Sequence, residues 1–206
     1  MLKASALQCV RGGRTLFSDL DFRLAPGSLL ELRGANGSGK TSLLRMLCGL
    51  LAPSAGDITW GGADIGTVRE EYCAQIAYVG HLNGVKDELT ALENVLLAAR
   101  ASGLDADAAG ADAALATLGL NGFAHAPCRT LSQGQRRRVA LARLCLSAQR
   151  PLWILDEPYA ALDAAATRVM HALLTTHLDR GGMAALSVHQ DVEIAASAVW
   201  RIELSS

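Results

Sequence analysis

The 206-residue sequence has no excess of basic residues, because 19 Lys and Arg stand against 20 Asp and Glu for a net charge of -1. Nucleic-acid-binding domains usually carry a clear basic excess, so this balance argues against a nucleic-acid partner. The sequence also has no stretch approaching the roughly 20 consecutive apolar residues that cross a bilayer, and no charged-then-apolar leader at its start. We therefore expect any role at a membrane to be exercised through a partner protein.

The sequence also lacks a C-x-x-C pair. Its cysteines are scattered and odd in number, which favours a reduced, intracellular protein over a disulfide framework; they are Cys9, Cys48, Cys73, Cys128 and Cys145. His125 and Cys128 have a spacing that resembles a metal pair, but two ligands without partners make no site, and a structural role is expected.

A glycine-rich stretch, Gly34-Ala-Asn-Gly-Ser-Gly-Lys40-Thr41, matches the phosphate-binding pattern G-x-x-x-x-G-K-[ST]. It lies between a strand-like run, 29–32, and a helix-like run, 42–51, which is the context that the pattern requires. The glycines let backbone N–H groups cradle phosphate oxygens at the start of the helix. Lys40 is expected to reach the β- and γ-phosphates, and Thr41 to supply a hydroxyl ligand for Mg²⁺. The alternative is a glycine-rich turn that binds nothing.

Flanking segments predict a small N-terminal antiparallel ribbon, from runs at 2–10 and 18–24, and an edge strand at 58–60. A strand is expected at 76–79. Helical patterns follow up to residue 100 and over 105–120, the first of them opened by a capping box of Thr90 and Glu93.

The pentapeptide Leu131-Ser-Gln-Gly-Gln135 precedes three arginines, 136–138, and a helical run at 139–146. Ser132 is a natural N-cap, so the backbone N–H groups around Gly134 are expected to form an anion site at a helix N-terminus. The alternatives are a cap with no ligand and, for the arginines, a solvated helix face.

Two adjacent carboxylates, Asp156 and Glu157, follow an apolar strand at 151–155. Ligands of open α/β sheets gather at the carboxyl ends of strands, and the alternation of side chains lets the two acids serve different roles. A turn ending in Asp163 leads into another helix, and a strand at 184–188 is followed by His189, which is well placed to sense the γ-phosphate.

In this order and at this spacing, the motifs resemble those of the ATPase subunits of ABC transporters, with the Ser-Gln-Gly-Gln element as the discriminating part. The resemblance implies an α/β fold in a single nucleotide-binding domain, 1–206. A phosphate-loop ATPase core would carry an N-terminal antiparallel β subdomain and an inserted α-helical subdomain at roughly 86–148. Residues 80–94 further resemble the ATP-binding subunits of cytochrome c maturation haem exporters.

The resemblance also implies the site and its partners. Two ATP molecules would lie between two such domains, each held by one chain's phosphate loop and the other chain's signature element. An integral membrane subunit at the cytoplasmic face of the bacterial inner membrane and further cytochrome c maturation proteins would be the partners. The implied nucleotide contacts are Gly34, Ala35, Asn36, Gly37, Ser38, Gly39, Lys40, Thr41, Ser42, Arg11, Ser132, Gln133, Gly134, Gln135 and Asp163; the Mg²⁺ ligands are Thr41 and Asp156; the catalytic residues are Glu157, His189 and His81.

Two positions depart from the family pattern. His81 stands where most relatives have a Gln that touches Mg²⁺ and the attacking water, and an imidazole can change its charge near neutral pH. Arg11 stands where an aromatic ring commonly stacks on adenine, although a guanidinium plane can also stack on a base.

Three other functions share part of this pattern. An ABC ATPase that serves an exporter of a different substrate has the same motifs. A soluble ABC ATPase that remodels ribosomes or DNA usually has two cassettes or a coiled-coil insertion, and neither is found in this sequence. A phosphate-loop kinase of another family would have no use for residues 131–135.

Overall fold

A computed structural model describes residues 1–188 and 193–205 of the chain. The strands in this part of the chain are β1 Leu2–Arg11, β2 Arg14–Leu24, β3 Ser28–Gly34, β4 Ala55–Trp60, β5 Ala63–Asp64, β6 Ile76–Val79, β7 Leu152–Asp156, β8 Met183–Ser187 and β9 Ala198–Leu204. The α-helices are α1 Lys40–Leu47, α2 Arg69–Cys73, α3 Ala91–Ala101, α4 Ala108–Thr117, α5 Gln133–Leu146 and α6 Ala164–Asp179.

The N-terminal sheet is antiparallel, with the strand order β2-β1-β4-β5. The predicted ribbon is confirmed as the β1–β2 pair, in which Leu2 lies opposite Leu24. The expected edge strand at 58–60 is wrong in its position, because β4 lies between β1 and the short β5. The two residues of β5 form the edge instead.

The central sheet has the strand order β6-β7-β8-β3-β9. Strands β7, β8, β3 and β9 run parallel, and every residue of β7 and β8 is buried, as expected for the middle of a covered parallel sheet. Helix α1 begins two residues earlier than predicted and ends at Leu47. The helix stops there because Gly49 takes a left-handed φ of +67°. The α/β class with an antiparallel N-terminal sheet is confirmed.

The chain divides into two compact units. The first consists of Met1–Tyr78, Arg150–Glu157 and Thr175–Ser206, and the second of Val79–Gln149 and Pro158–Leu174. Apolar side chains from both sheets and from α1 form the core of the first unit, including Leu32, Leu44, Ile154 and Ala185. The predicted helical subdomain, 86–148, lies within the second unit, where α3, α4 and α5 pack on one another.

In the described part of the chain, no helix combines the length and the apolar character needed to span a bilayer.

Candidate functional site

The phosphate-binding pattern forms the loop between β3 and α1 in the first unit. The Lys40 ammonium group donates hydrogen bonds to the carbonyl oxygens of Gly34 at 2.7 Å and Ala35 at 2.9 Å, so this side chain spans the loop. The Ser38 hydroxyl is buried and has no hydrogen-bond partner among the described residues. Buried polar groups normally have partners, so this orphaned oxygen indicates a cradle built for a polar ligand.

The backbone of the loop depends on Gly34, whose φ is +128°. A Cβ atom at this position would collide with the carbonyl oxygen of Leu204 and lie 2.9 Å from the Ser38 hydroxyl. Helix α1 has Gly39 as its N-cap, and no side chain of the described residues caps it. The first N–H groups of α1 are therefore available to an anion, as in other phosphate sites at helix N-termini.

Asp156 lies at the end of β7 and is almost fully buried, with 1% of its surface exposed. One carboxylate oxygen, Oδ2, accepts a hydrogen bond of 2.8 Å from the Thr41 hydroxyl at the start of α1. The other, Oδ1, accepts one of 2.6 Å from the Ser187 hydroxyl at the end of β8. Both oxygens are therefore held by hydroxyl donors.

Glu157 follows directly and is half-buried. Its φ of +50° lies in the left-handed region, which costs a residue with a side chain roughly 1–2 kcal/mol. Its backbone N–H donates a hydrogen bond of 2.9 Å to the Ser187 hydroxyl, which helps to hold this conformation. The sequence predicts that Glu157 continues the alternation of side chains along the strand. The structure shows instead that its left-handed backbone turns Glu157 out of the strand.

Arg11 ends strand β1 and is exposed. The neighbouring Cys9 thiol is buried, which raises its pKa, and it contacts the side chain of Ser42 in α1. The charge of Arg11 acts on the same thiol. Strand β1 therefore passes beside the first turn of α1, and Arg11 lies two residues beyond Cys9 at the end of this strand.

The signature pentapeptide lies in the second unit, where α5 begins at Gln133 with Ser132 as its N-cap. The Ser132 hydroxyl accepts from the Gln135 N–H at 3.2 Å, and the Gln135 side chain accepts from the Ser132 N–H at 2.8 Å. This reciprocal capping box fixes the start of α5. Gly134 lies so close to the next loop that a Cβ would stand 2.7 Å from the Ala161 carbonyl oxygen.

Asp163 ends that loop and is exposed. Its carboxylate accepts a hydrogen bond of 2.7 Å from the N–H of Ala166 in the first turn of α6. The structure therefore brings the signature element and the Ala161-Leu-Asp163 turn together, as helix N-termini within one unit.

The three arginines, 136–138, are not a solvated face. Arg137 is buried and donates to the Gly80 carbonyl oxygen at 2.9 Å and to Asn83 Oδ1 at 3.1 Å. Arg136 forms an ion pair of 2.9 Å with Asp87. Arg138 donates to carbonyl oxygens at the end of α4. The first two arginines therefore connect the start of α5 to the loop at 80–90.

That loop carries His81, which is exposed. The buried Asn94 side chain holds the rest of the loop, because its amide accepts from Lys86 N–H at 2.8 Å and donates to the Lys86 carbonyl oxygen at 2.9 Å. His81 thus stands on a segment held at both ends. His189, the other predicted histidine, lies outside the described residues.

The sequence profile of the ABC transporter family matches residues 17–160, more than half of the chain. The chain belongs to the ABC transporter family. A cytochrome c biogenesis ATP-binding export protein CcmA from Dechloromonas aromatica is 52% identical over 204 residues, which cover 99% of this chain and 100% of that protein.

Solved structures of ABC proteins have a similar fold. The structure of an ATP-binding subunit of an ABC transporter has a TM-score of 0.79 and 27% identity, over 91% of this chain and 79% of that one. A dimeric ATP-binding cassette in a post-hydrolysis state, bound to ADP and Pi, has a TM-score of 0.79 and 24% identity, over 92% and 88% of the two chains. The second likeness shows the fold alone. As an ABC ATPase, this chain binds and hydrolyses ATP, and the kinase alternative is excluded.

Sequence reasoning missed Ser187 and the roles of Arg136, Arg137 and Asn94. A serine that ends an apolar strand needs a polar partner, but the identity of that partner, Asp156, depends on the register between β7 and β8, which the sequence does not report. The arginines gave no such signal, because their partners are carbonyl oxygens and polar side chains of a distant loop.

Proposed function

We propose that this ABC ATPase energises an integral membrane subunit in cytochrome c biogenesis, at the cytoplasmic face of the bacterial inner membrane. The partner would export haem or release a haem-carrying chaperone, and further cytochrome c maturation proteins would take part. The observation that carries this proposal is the likeness to the CcmA export protein along its whole length. An exporter of a different substrate and a soluble remodelling ATPase are outcomes of the test below.

The residues present fit a Mg²⁺ ion beside the phosphates. The Thr41 hydroxyl oxygen and the Asp156 Oδ2 lie 2.8 Å apart, and hydroxyl and carboxylate oxygens are the ligands that this hard cation takes from proteins. A bound Mg²⁺ supplies neutralisation of the charge that develops on the phosphate oxygens. Thr41 and Asp156 would hold it, and residues 34–42 would bind the triphosphate through backbone N–H groups, Lys40 and the hydroxyls of Ser38 and Ser42.

Glu157 is proposed to orient and activate the attacking water. It is half-buried and adjoins the Asp156 position, and its backbone is turned out of the strand. A carboxylate can accept a hydrogen bond from water and take up its proton as the bond to phosphorus forms. His189 and His81 are proposed to contact the γ-phosphate and the water, and Arg11 to stack on the adenine.

The working state is proposed to be a homodimer in which each ATP is shared. Ser132, Gln133, Gly134, Gln135 and Asp163 would then complete the partner copy's site. The start of α5 supports this assignment, since a helix N-terminus attracts an anion. The exposed Asp163 carboxylate would act instead as a hydrogen-bond acceptor. The ATP-binding cassette that is similar in fold is itself a dimer.

The proposal is tested by complementation in a bacterium whose own gene for the CcmA protein has been deleted. The wild-type chain is expected to restore haem-stained c-type cytochromes and to sediment with membranes only when the membrane subunit is present. Lys40→Ala should abolish restoration, whereas Lys3→Ala, an exposed lysine of β1, should not. A folded, ATPase-active wild type that restores no cytochrome would favour an exporter of a different substrate. Activity that is wholly independent of membranes would favour the remodelling alternative.

A further inference from the structure

We propose that Ser187 is a positioning residue of the ATPase, which fixes the orientations of the two adjacent acidic residues of the site, Asp156 and Glu157. The inference rests on the roles proposed above for Asp156 and Glu157. Ser187 ends β8, a fully buried strand whose other residues are Met183, Ala184, Ala185 and Leu186. Its side chain is 0% exposed, so its hydroxyl must find every partner within the protein.

The hydroxyl of Ser187 forms two hydrogen bonds with residues of the candidate site, one as a donor and one as an acceptor. It donates to Asp156 Oδ1 at 2.6 Å and accepts from the Glu157 N–H at 2.9 Å. The parallel pairing of β7 with β8 places Asp156 directly opposite Ser187. The contact to Asp156 has the length of a charge-assisted hydrogen bond between a hydroxyl and a carboxylate.

These two bonds fix different features. The bond to Oδ1 sets the rotation of the Asp156 carboxylate, and so directs its other oxygen, Oδ2, to the Thr41 hydroxyl. The bond from the Glu157 N–H supports a left-handed backbone with a φ of +50°, from which the Glu157 side chain departs. A single buried hydroxyl therefore links the orientation of the metal-side carboxylate to that of the water-side carboxylate.

Replacement by alanine removes one oxygen atom and both bonds, with little change in volume. Ser187→Ala is expected to lower kcat by about 10- to 100-fold, the range that corresponds to a lost hydrogen bond to a charged group. It is also expected to weaken the binding of a fluorescent ATP analogue in Mg²⁺ by about 10-fold, on the same estimate. Binding in EDTA should stay within about 2-fold of wild type, because the phosphate loop itself is unchanged.

A merely structural serine would lower the melting temperature without changing the ratio of the affinities in Mg²⁺ and EDTA. Ser28→Ala is the matched control, because Ser28 is also buried in the first unit but begins β3, and its hydroxyl accepts a hydrogen bond of 3.3 Å from the Ala25 N–H. Its kcat and its affinity ratio should equal those of the wild type. Ser187→Thr keeps the hydroxyl and should recover most of kcat.

The controls Asp156→Asn and Glu157→Gln separate the failure of this inference from that of the proposed roles. If both lose hydrolysis while folded Ser187→Ala matches the wild type in kcat and in the affinity ratio, the positioning role is overturned. If the Ala variant does not fold, the Thr variant decides, since a kcat reduced as far as in Asp156→Asn despite a retained hydroxyl would also overturn it. Full activity of both acid variants would overturn the proposed roles, and the inference with them.

Discussion

Adding one methyl group at Gly34 tests how closely the phosphate loop is built against its own unit. Gly34 has a φ of +128°, and a Cβ there would meet the Leu204 carbonyl oxygen of β9 and the Ser38 hydroxyl. The unfavourable backbone contributes about 1–3 kcal/mol and the overpacking another 1–3 kcal/mol or so. We therefore expect Gly34→Ala to lower the free energy of unfolding by roughly 2–6 kcal/mol.

Gly37 provides the matched control. Its φ of +82° is also left-handed, but a Cβ there would meet nothing within 4 Å. Gly37→Ala should therefore cost only the backbone term, about 1–2 kcal/mol. Urea unfolding followed by tryptophan fluorescence suits this comparison, because Trp60, Trp153 and Trp200 all lie in the first unit with the loop. In a chain of this size, each kcal/mol corresponds to about 2–4 °C in Tm.

The difference between the two variants is the informative quantity, since both carry the strain of a left-handed backbone. Equal destabilisation, within about 0.5 kcal/mol, would show that the contact of the loop with β9 is not tight in solution. The packing argument for the loop would then be refuted.

Three further predictions concern other parts of the molecule. Arg137→Lys should lose part of the contact with Gly80 and Asn83, because an ammonium group lacks the guanidinium fork, so amide hydrogen exchange in the loop at 80–90 should become faster. The control Arg138→Lys should leave this exchange unchanged, and equal exchange rates in the wild type and both variants would contradict the role of Arg137 in holding the loop. Burial lowers the pKa of His177, which stacks on Trp153 and contacts the Met183 carbonyl oxygen, so the unfolded chain binds the proton more readily and the free energy of unfolding should fall as the pH drops below the unfolded pKa of about 6.5. In urea titrations the dependence of this free energy on pH should be weaker in His177→Phe, and an identical dependence in both proteins would refute the assignment. Mixing Lys40→Ala with Ser132→Arg chains should recover ATPase activity, because a heterodimer keeps one site free of both changes; no recovery from demonstrated heterodimers would argue against shared sites.

Local patterns were enough to predict most elements that flank the site. The phosphate loop, the capping box at Thr90 and the N-cap at Ser132 depend on residues close together in the chain, and each lies where the sequence indicates. The predicted roles of these site residues stay predictions.

Features that depend on distant pairing were missed. Strand β9 joins the central sheet beside β3 through register with a segment far away in the sequence, and no local pattern reports such a register. The pairing of Ser187 with Asp156 has the same origin. Whether Arg137 is solvated or buried depends on which loop packs on α5, and helix periodicity does not contain that information.

The central claim, ATP hydrolysis directed by adjacent acids at the end of β7, is tested most directly by single-turnover hydrolysis in Glu157→Gln. The variant keeps the shape of the side chain but removes the carboxylate that is proposed to accept the proton from water. ATP affinity should match the wild type, hydrolysis should fall by about 100-fold or more, and a dimer with trapped ATP should accumulate in light scattering. Single-turnover hydrolysis at the wild-type rate would contradict the account.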